Sequence, residues 1–334
     1  MRFIRKGMTV LQRTLARWKA VRDLRCLSST RRIESGPVVF AVTRNEMLRL
    51  HAFLRHYRRL GVEQFVIVDN NSTDETGDYL KSQKDVLLYS TEAHFTGKEA
   101  WLDYLFHKHG LNLWCLAADA DELIDYPSSD LVTLPELCRY LDETGANALH
   151  SILLDLYPEG SLSQVKYAAG DDYFSKKWYF DPMDSMVMTP RHFYRGSGLD
   201  FRFEGGVRKR LFGVSACCSK FPLFRFTGEM FLSDGQHYLE GGRFSELRAV
   251  LYHMKYLQDF EARVMEEMQR EQHWRGAVEY KAYAKLISSH EHGLVIKDET
   301  SVLLRGTRQL EELGCLVSPP TYDAFVKRVE GRGV

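Results

Sequence analysis

Residues 38–76, VVFAVTRNEMLRLHAFLRHYRRLGVEQFVIVDNNSTDET, leave few choices of fold. A β-branched run at 38–42 reads as a buried strand. Met47, Leu50, Leu54, Tyr57 and Leu60 then recur at three- and four-residue spacing, the period of one helix face, and Gly61 supplies the stop. A second apolar run, 65–68, ends at Asp69-Asn70-Asn71. Ser72 with Glu75 three residues on, and Asp74 between them, predicts a capping box opening another helix. A strand, a crossover helix and a second strand in this order join parallel neighbours. The spacing therefore predicts an α/β fold with a mostly parallel sheet.

Some fifty residues downstream, LWCLAADADEL (113–123) is an apolar run that stops at two carboxylates, Asp119 and Asp121. In an extended backbone, residues i and i+2 point to one side, so this pair can converge on a hard divalent cation, Mg²⁺ or Mn²⁺, of the kind that holds a diphosphate. The same spacing also suits two Asp side chains capping a turn or helix. Further strands are expected at 86–89, 148–154, 211–214, 223–226 and 250–255, and helices at 97–108, 134–141 and 257–272. Lys98 opens the first of these helices, either solvated or in reach of a phosphate. Residues 157–213, rich in Gly, Asp and aromatics, are too long for an ordinary loop; they read as the acceptor side of a cleft, with short strands and a mobile lid.

Lys plus Arg equals Asp plus Glu at 45 each, so no global field draws the chain to nucleic acid. Six cysteines lack both metal-finger spacing and disulfide-scaffold density, which predicts reduced thiols and a cytoplasmic protein. The pair Cys217-Cys218 reads as ordinary thiols. No stretch reaches the roughly twenty apolar residues a bilayer span needs. Residues 1–32 hold ten Lys or Arg against one acid, Asp23, with Ile4, Met8, Leu11, Leu15 and Trp18 along one helical face. Such a helix either lies on an anionic membrane surface, making the protein peripheral on the cytoplasmic face, or packs on the domain or a partner subunit, or is a poorly ordered leader. The expected organisation is a basic amphipathic segment and linker (1–36), a catalytic domain (37–256, nucleotide-binding to 126 and acceptor half from 127), and a helical extension (257–334).

VTRNE at 42–46, VDNNSTDET at 68–76 and the D-x-D after the fourth strand stand in order and at plausible spacing. At these residues the chain resembles the family 2-type glycosyltransferases of the GT-A fold. LDFRFEGGVRKRLFG, SKFPLFRF, DGQHYL and LYHMKYLQDF look, more loosely, like the C-terminal part of a bacterial subgroup with a single catalytic domain. The resemblance implies metal-dependent, inverting transfer of a sugar from a nucleotide-sugar donor, a UDP-sugar first, to the hydroxyl of a glycan or lipid-linked acceptor, in cell-surface or extracellular polysaccharide synthesis.

It also implies roles. Asp119 would touch ribose and metal and Asp121 the metal, with Glu122 pointing away as a structural group. Asp69 would accept the imide N–H of a uracil ring, unless it merely starts the turn. Thr43, Arg44 and Glu46 would line the nucleotide pocket, Glu46 alternatively serving the helix dipole. His237 is the expected third metal ligand, with His253 in reserve. The acceptor's proton would go to Glu204, with Asp200, Asp181 and Asp155 competing; Gly205-Gly206 would let substrate approach, and Arg208 and Arg210 would support phosphate charge. The Glu-Asp dipeptide of many relatives is missing, so the base stays open. Two other functions compete. A nucleotidyltransferase needs a glycine-rich loop where Thr43-Arg44-Asn45-Glu46 stands. A non-catalytic binding descendant would be expected to have lost an Asp of the pair. A phosphatase of the D-x-D-x-T type fails on Leu123.

Overall fold

The computed structural model describes residues 10–28, 33–190, 201–270, 274–288 and 293–331. Helix α1 (Val10–Asp23) and a two-residue strand β1 (Arg25–Cys26) precede the predicted unit: β2 (Val38–Thr43), α2 (Met47–Arg59), β3 (Gln64–Asp69), α3 (Thr76–Ser82) and β4 (Val86–Ser90). Helix α4 (Lys98–His109), β5 (Trp114–Ala117), β6 (Glu122–Asp125), α5 (Leu134–Glu143) and β7 (Ala148–Asp155) follow. The ten-stranded sheet runs β1, β4, β3, β2, β5, Leu223–Arg225, β7, Phe244–His253, β6, with Ser219–Lys220 paired beside β7. β4, β3, β2 and β5 are mutually parallel. Leu223–Arg225 opposes both its neighbours, which returns β7 to the direction of β5, and Phe244–His253 is parallel to β7. The result is a mixed, mostly parallel α/β sheet of Rossmann-like character, flanked by helices.

The uninterrupted apolar runs follow from burial on both faces. Val39, Ala41, Phe65 and Ile67 pack with Phe53 and Tyr57 of α2 and Leu137 of α5. Their alternates Val38, Phe40, Val66 and Val68 pack with Trp101, Leu105 and Phe106 of α4.

Several expectations shift. The residues predicted as a strand at 211–214 end a helix, α6 (Gly206–Phe212), because Gly213 at φ 67° closes it in the left-handed region. The amphipathic helix α7 spans Phe260–Arg270, followed by α8 (Trp274–Ile287). Helix α3 begins at Thr76 without a side-chain cap, since the Ser72 hydroxyl serves Asp69 instead. The first segment is more than a leader: α1 lies on α4, with Arg17 paired to Asp103, and β1 extends the sheet beside β4. The helical C-terminal part packs onto the same core. After α9 (Thr307–Glu312), helix α10 (Pro320–Glu330) sends Tyr322 and Phe325 into the main core, and Val302–Leu303 pairs with Tyr179–Phe180. Residues 157–190 carry 3₁₀ turns and short strands. All six cysteines are free thiols. Among the described residues no helix is long and apolar enough to cross a membrane.

Candidate active site

Parallel strands deliver their carboxyl ends to one edge, where open α/β sheets bind ligands. A cleft of about 330 Å³ lies there, lined by Arg44 after β2, Asn70 and Asn71 after β3, Glu92, Ala93 and His94 after β4, and Arg270 of α7. The NNSTDET stretch builds its floor. Ser72 Oγ accepts from Asn45 N at 3.0 Å, Asn45 Oδ1 from Thr73 N at 2.8 Å, Thr76 Oγ1 from Glu46 N at 2.9 Å, and Asp74 Oδ2 from Met47 N at 3.3 Å. Two successive strand-end loops are thereby laced together. Asn45 and Asn71 take the left-handed conformation such tight loops need, at φ 51° and 57°. Arg44 Nη1 donates to the carbonyls of Asn70 and Asn71 at 3.0 and 2.7 Å. Asn70 donates to the Thr91 and Ala93 carbonyls, while its buried Oδ1 has no hydrogen-bond partner.

Of the expected pocket residues, Arg44 lines the cleft. Thr43 is buried beneath it, its hydroxyl donating to Val68 O at 3.4 Å. Glu46 is also buried and turns to α7, where Arg263 grips it with both guanidinium nitrogens, Nη1 at 2.9 Å and Nη2 at 2.5 Å. Burial pushes its carboxyl up, against the pull of Arg263 and Arg49. Asp69 holds Ser72, accepting from its N at 3.2 Å and its Oγ at 2.5 Å.

The carboxylate pair follows β5, the fourth parallel strand. It sits on a turn rather than on an extended tip, because Glu122 N donates back to Asp119 O at 2.9 Å, so the two carboxylates do not converge by strand alternation as expected. Asp119 is ion-paired with Lys98, which is neither solvated nor free at the start of α4. Asp121 Oδ2 lies 3.3 Å from His253 Nε2, and His253 Nδ1 donates to Asp155 at 2.5 Å. Asp155 in turn accepts from Arg208 Nε at 2.9 Å. Burial alone would raise Asp121, but His253, Arg263 and Arg49 hold it well below the carboxylate range. Burial likewise opposes Asp119, which Lys98 and Lys220 nevertheless lower. His253 is pushed up to about 9, because Asp121 and Asp155 on its two nitrogens outweigh desolvation. Glu122 is buried, accepts from Lys220 Nζ at 2.7 Å and from the Asp119 amide at 3.3 Å, and braces the turn from behind.

The remaining expected residues divide. His237 Nδ1 meets the Ser219 carbonyl at 2.7 Å, so the histidine in contact with the pair is His253. Asp181 is buried in an ion pair, accepting from Arg210 Nε and Nη2 at 2.9 and 2.8 Å and from Tyr157 OH at 2.5 Å. That places Arg210 in a structural clamp, completed by Asp298 at 2.6 Å. Glu204 stands on the strand Phe201–Gly205, paired with Arg202 at 2.5 Å. Asp200 lies outside the described residues. Gly205 is at φ 134°, and a Cβ there would meet Ser185 O at 2.6 Å, so the close approach it allows is to Ser185 backbone.

Sequence reasoning missed Arg49, Arg263, Lys220 and Asp259. Arg49 is fully buried, donating to Met254 O at 3.0 Å and to both Asp259 oxygens at 2.6 and 2.7 Å. Its only local sign is an arginine on the apolar side of α2.

The donors fit a divalent cation in kind: two anionic carboxylates, and an imidazole whose other nitrogen is oriented by a carboxylate, as metal-bound histidines commonly are. They are not gathered in number, since among the described residues no three His, Cys, Asp or Glu side chains form a metal-holding group.

No protein-family model matches the chain. No curated protein matches it either. Among solved structures, one described as 4-diphosphocytidyl-2C-methyl-D-erythritol synthase is similar at 14% identity and a TM-score of 0.25, over 42% of this chain and 66% of that one, just under two thirds of its length.

Proposed function

We propose that the protein is a metal-dependent glycosyltransferase of GT-A type, moving a sugar from a nucleotide-sugar donor, a UDP-sugar first, to an acceptor hydroxyl with inversion. The observation that carries the reading is the Asp119–Asp121 turn, which follows the carboxyl end of the fourth of four parallel strands, on the same sheet edge where the ends of the other three carry Arg44, Asn70 and Glu92 into the cleft that Arg270 closes. The order of the VTRNE, VDNNSTDET and D-x-D stretches supports it. Asp119 and Asp121 would offer their carboxylates to Mn²⁺ or Mg²⁺, and the cation would offset the charge that builds on the leaving diphosphate. Arg44 and Arg270 bring positive charge to the nucleotide, and Asn70 Oδ1 is an open acceptor beside it. Glu204 takes the acceptor's proton as general base. The acceptor is a glycan or a lipid-linked saccharide.

The test is thermal unfolding with UDP, with and without Mn²⁺. Ligand at a hundred times its Kd adds about 2.7 kcal/mol of stability. Asp121→Asn keeps the shape of the side chain and should lose the Mn²⁺-dependent part of that gain. Unchanged Mn²⁺-dependent stabilisation in this variant would remove the basis of the assignment. Pyrophosphate release from a nucleoside triphosphate and a sugar phosphate, without glycosyl transfer from any UDP-, GDP-, CDP- or dTDP-sugar, would move the protein to the nucleotidyltransferases.

A further inference from the structure

Helix α1 has two faces of opposite character. Its inner face is fastened to the domain: Ala20 is buried, Arg17 pairs with Asp103, Asp23 accepts from Trp101 Nε1 at 3.1 Å, and Arg13 pairs with Glu240 and stacks over Phe231 at 4.1 Å. Its outer face presents Leu11, Leu15, Trp18 and Val21, exposed by 69, 59, 65 and 45%. Leu11, Leu15 and Trp18 follow four- and three-residue spacing, so they form one stripe. Lys19 and Arg22 on the helix, and Arg25 on β1 just after it, are exposed and make no ion pair among the described residues. The one acid of the helix, Asp23, is turned inward to Trp101.

We propose that this face docks on an anionic lipid bilayer, with the apolar stripe in the acyl–headgroup boundary and the three cations on lipid phosphates. An apolar stripe flanked by unpaired cations is the chemistry of interfacial binding. Because α1 is clamped to α4, and α4 begins at Lys98 against Asp119, docking would hold the carboxylate turn at a fixed attitude to the lipid rather than on a flexible tether. That geometry suits an acceptor presented at the membrane surface. Docking itself is independent of the transferase reading.

The test is co-sedimentation of the full-length protein with vesicles of phosphatidylglycerol and phosphatidylcholine, or of phosphatidylcholine alone. Binding is expected only with the anionic lipid and should fall between 0.1 and 1 M salt, as the Debye length shrinks from about 10 to 3 Å. Lys19→Gln/Arg22→Gln/Arg25→Gln should weaken binding by about 100-fold, roughly fivefold per charge. Leu15→Ser/Trp18→Ser should abolish it. These side chains are exposed, so both variants should unfold at the temperature of the parent. Equal binding by parent and variants would overturn the proposal and assign any association to Arg2, Arg5 and Lys6. A concentration-dependent dimer that Leu15→Ser/Trp18→Ser abolishes, without vesicle binding by the parent, would give the face to a second copy instead.

Discussion

Lys220→Met tests whether the carboxylate turn is braced from behind by a buried ion pair. Lys220 Nζ lies 2.7 Å from Glu122 Oε1, and the two side chains are only 4% and 2% exposed. Removing one partner of such a pair leaves a buried charge uncompensated, which costs about 3–5 kcal/mol. Glu122 then retains the Asp119 amide at 3.3 Å and, at a distance, His253. Burial already pushes Glu122 above its ordinary value near 4.5, with Lys220 the main opposing influence, so the variant should raise it further. A carboxyl raised on folding contributes stability that is present below its unfolded pKa and lost as pH rises through the folded one. The deficit should therefore be full at pH 8 and much smaller at pH 5, where Glu122 can take up a proton. Urea unfolding at the two pH values measures it. Lys220→Met/Glu122→Gln should recover most of the loss, because the double variant buries no unpaired charge. A loss under about 1 kcal/mol, equal losses at both pH values, or a double variant as unstable as the sum of the singles would refute the reasoning.

Three further outcomes are expected. Burial holds the His56 imidazole down at about 4 while its Nε2 meets Ile124 O at 2.8 Å. A histidine depressed on folding stabilises the protein above its unfolded pKa near 6.5, and about 3 kcal/mol should be lost as pH falls from there toward 4; urea unfolding of His56→Gln should show a flatter dependence in that window, and an unchanged slope would dismiss the assignment. Asp181→Asn should cost roughly 2 kcal/mol of stability, the lower side for a pair whose Arg210 is partly exposed, with turnover per folded molecule retained. Glu204→Gln should instead lower single-turnover rates about 10²-fold with UDP binding intact; normal turnover in Glu204→Gln together with loss in Asp181→Asn would exchange the two roles.

The elements that carry the site were legible in the chain because each has a local cause. Alternating burial on two sheet faces demands the apolar runs of β2 and β3, a single helix face demands the spacing of α2, and the sheet's polar edge takes Asp69 at the end of β3 and Asp119 and Asp121 on the turn just after β5. The same local logic misread Ser72 and Glu75 as a cap, since a hydroxyl serves whichever backbone group folding brings nearest, and here that is Asn45 of the neighbouring loop. Which residues meet is a matter of topology. Leu223–Arg225 runs against its neighbours and so returns β7 to the direction of β5; Phe244–His253 then runs parallel to β7. That reversal brings Asp155 and His253 to the edge where Asp121 ends its turn, and packing of α7 there adds Arg263 to Glu46. Charges distant in sequence are buried together only where each finds its counter-charge, and pairings such as Lys98 with Asp119, Lys220 with Glu122 and Arg210 with Asp181 leave no periodic trace in the chain. The sequence alone determined strands β2, β3 and β5 and the carboxylates at or just after their ends, because those depend on neighbours in the chain; the tertiary structure decided which partners neutralise them, because desolvation is settled only when the whole sheet has closed.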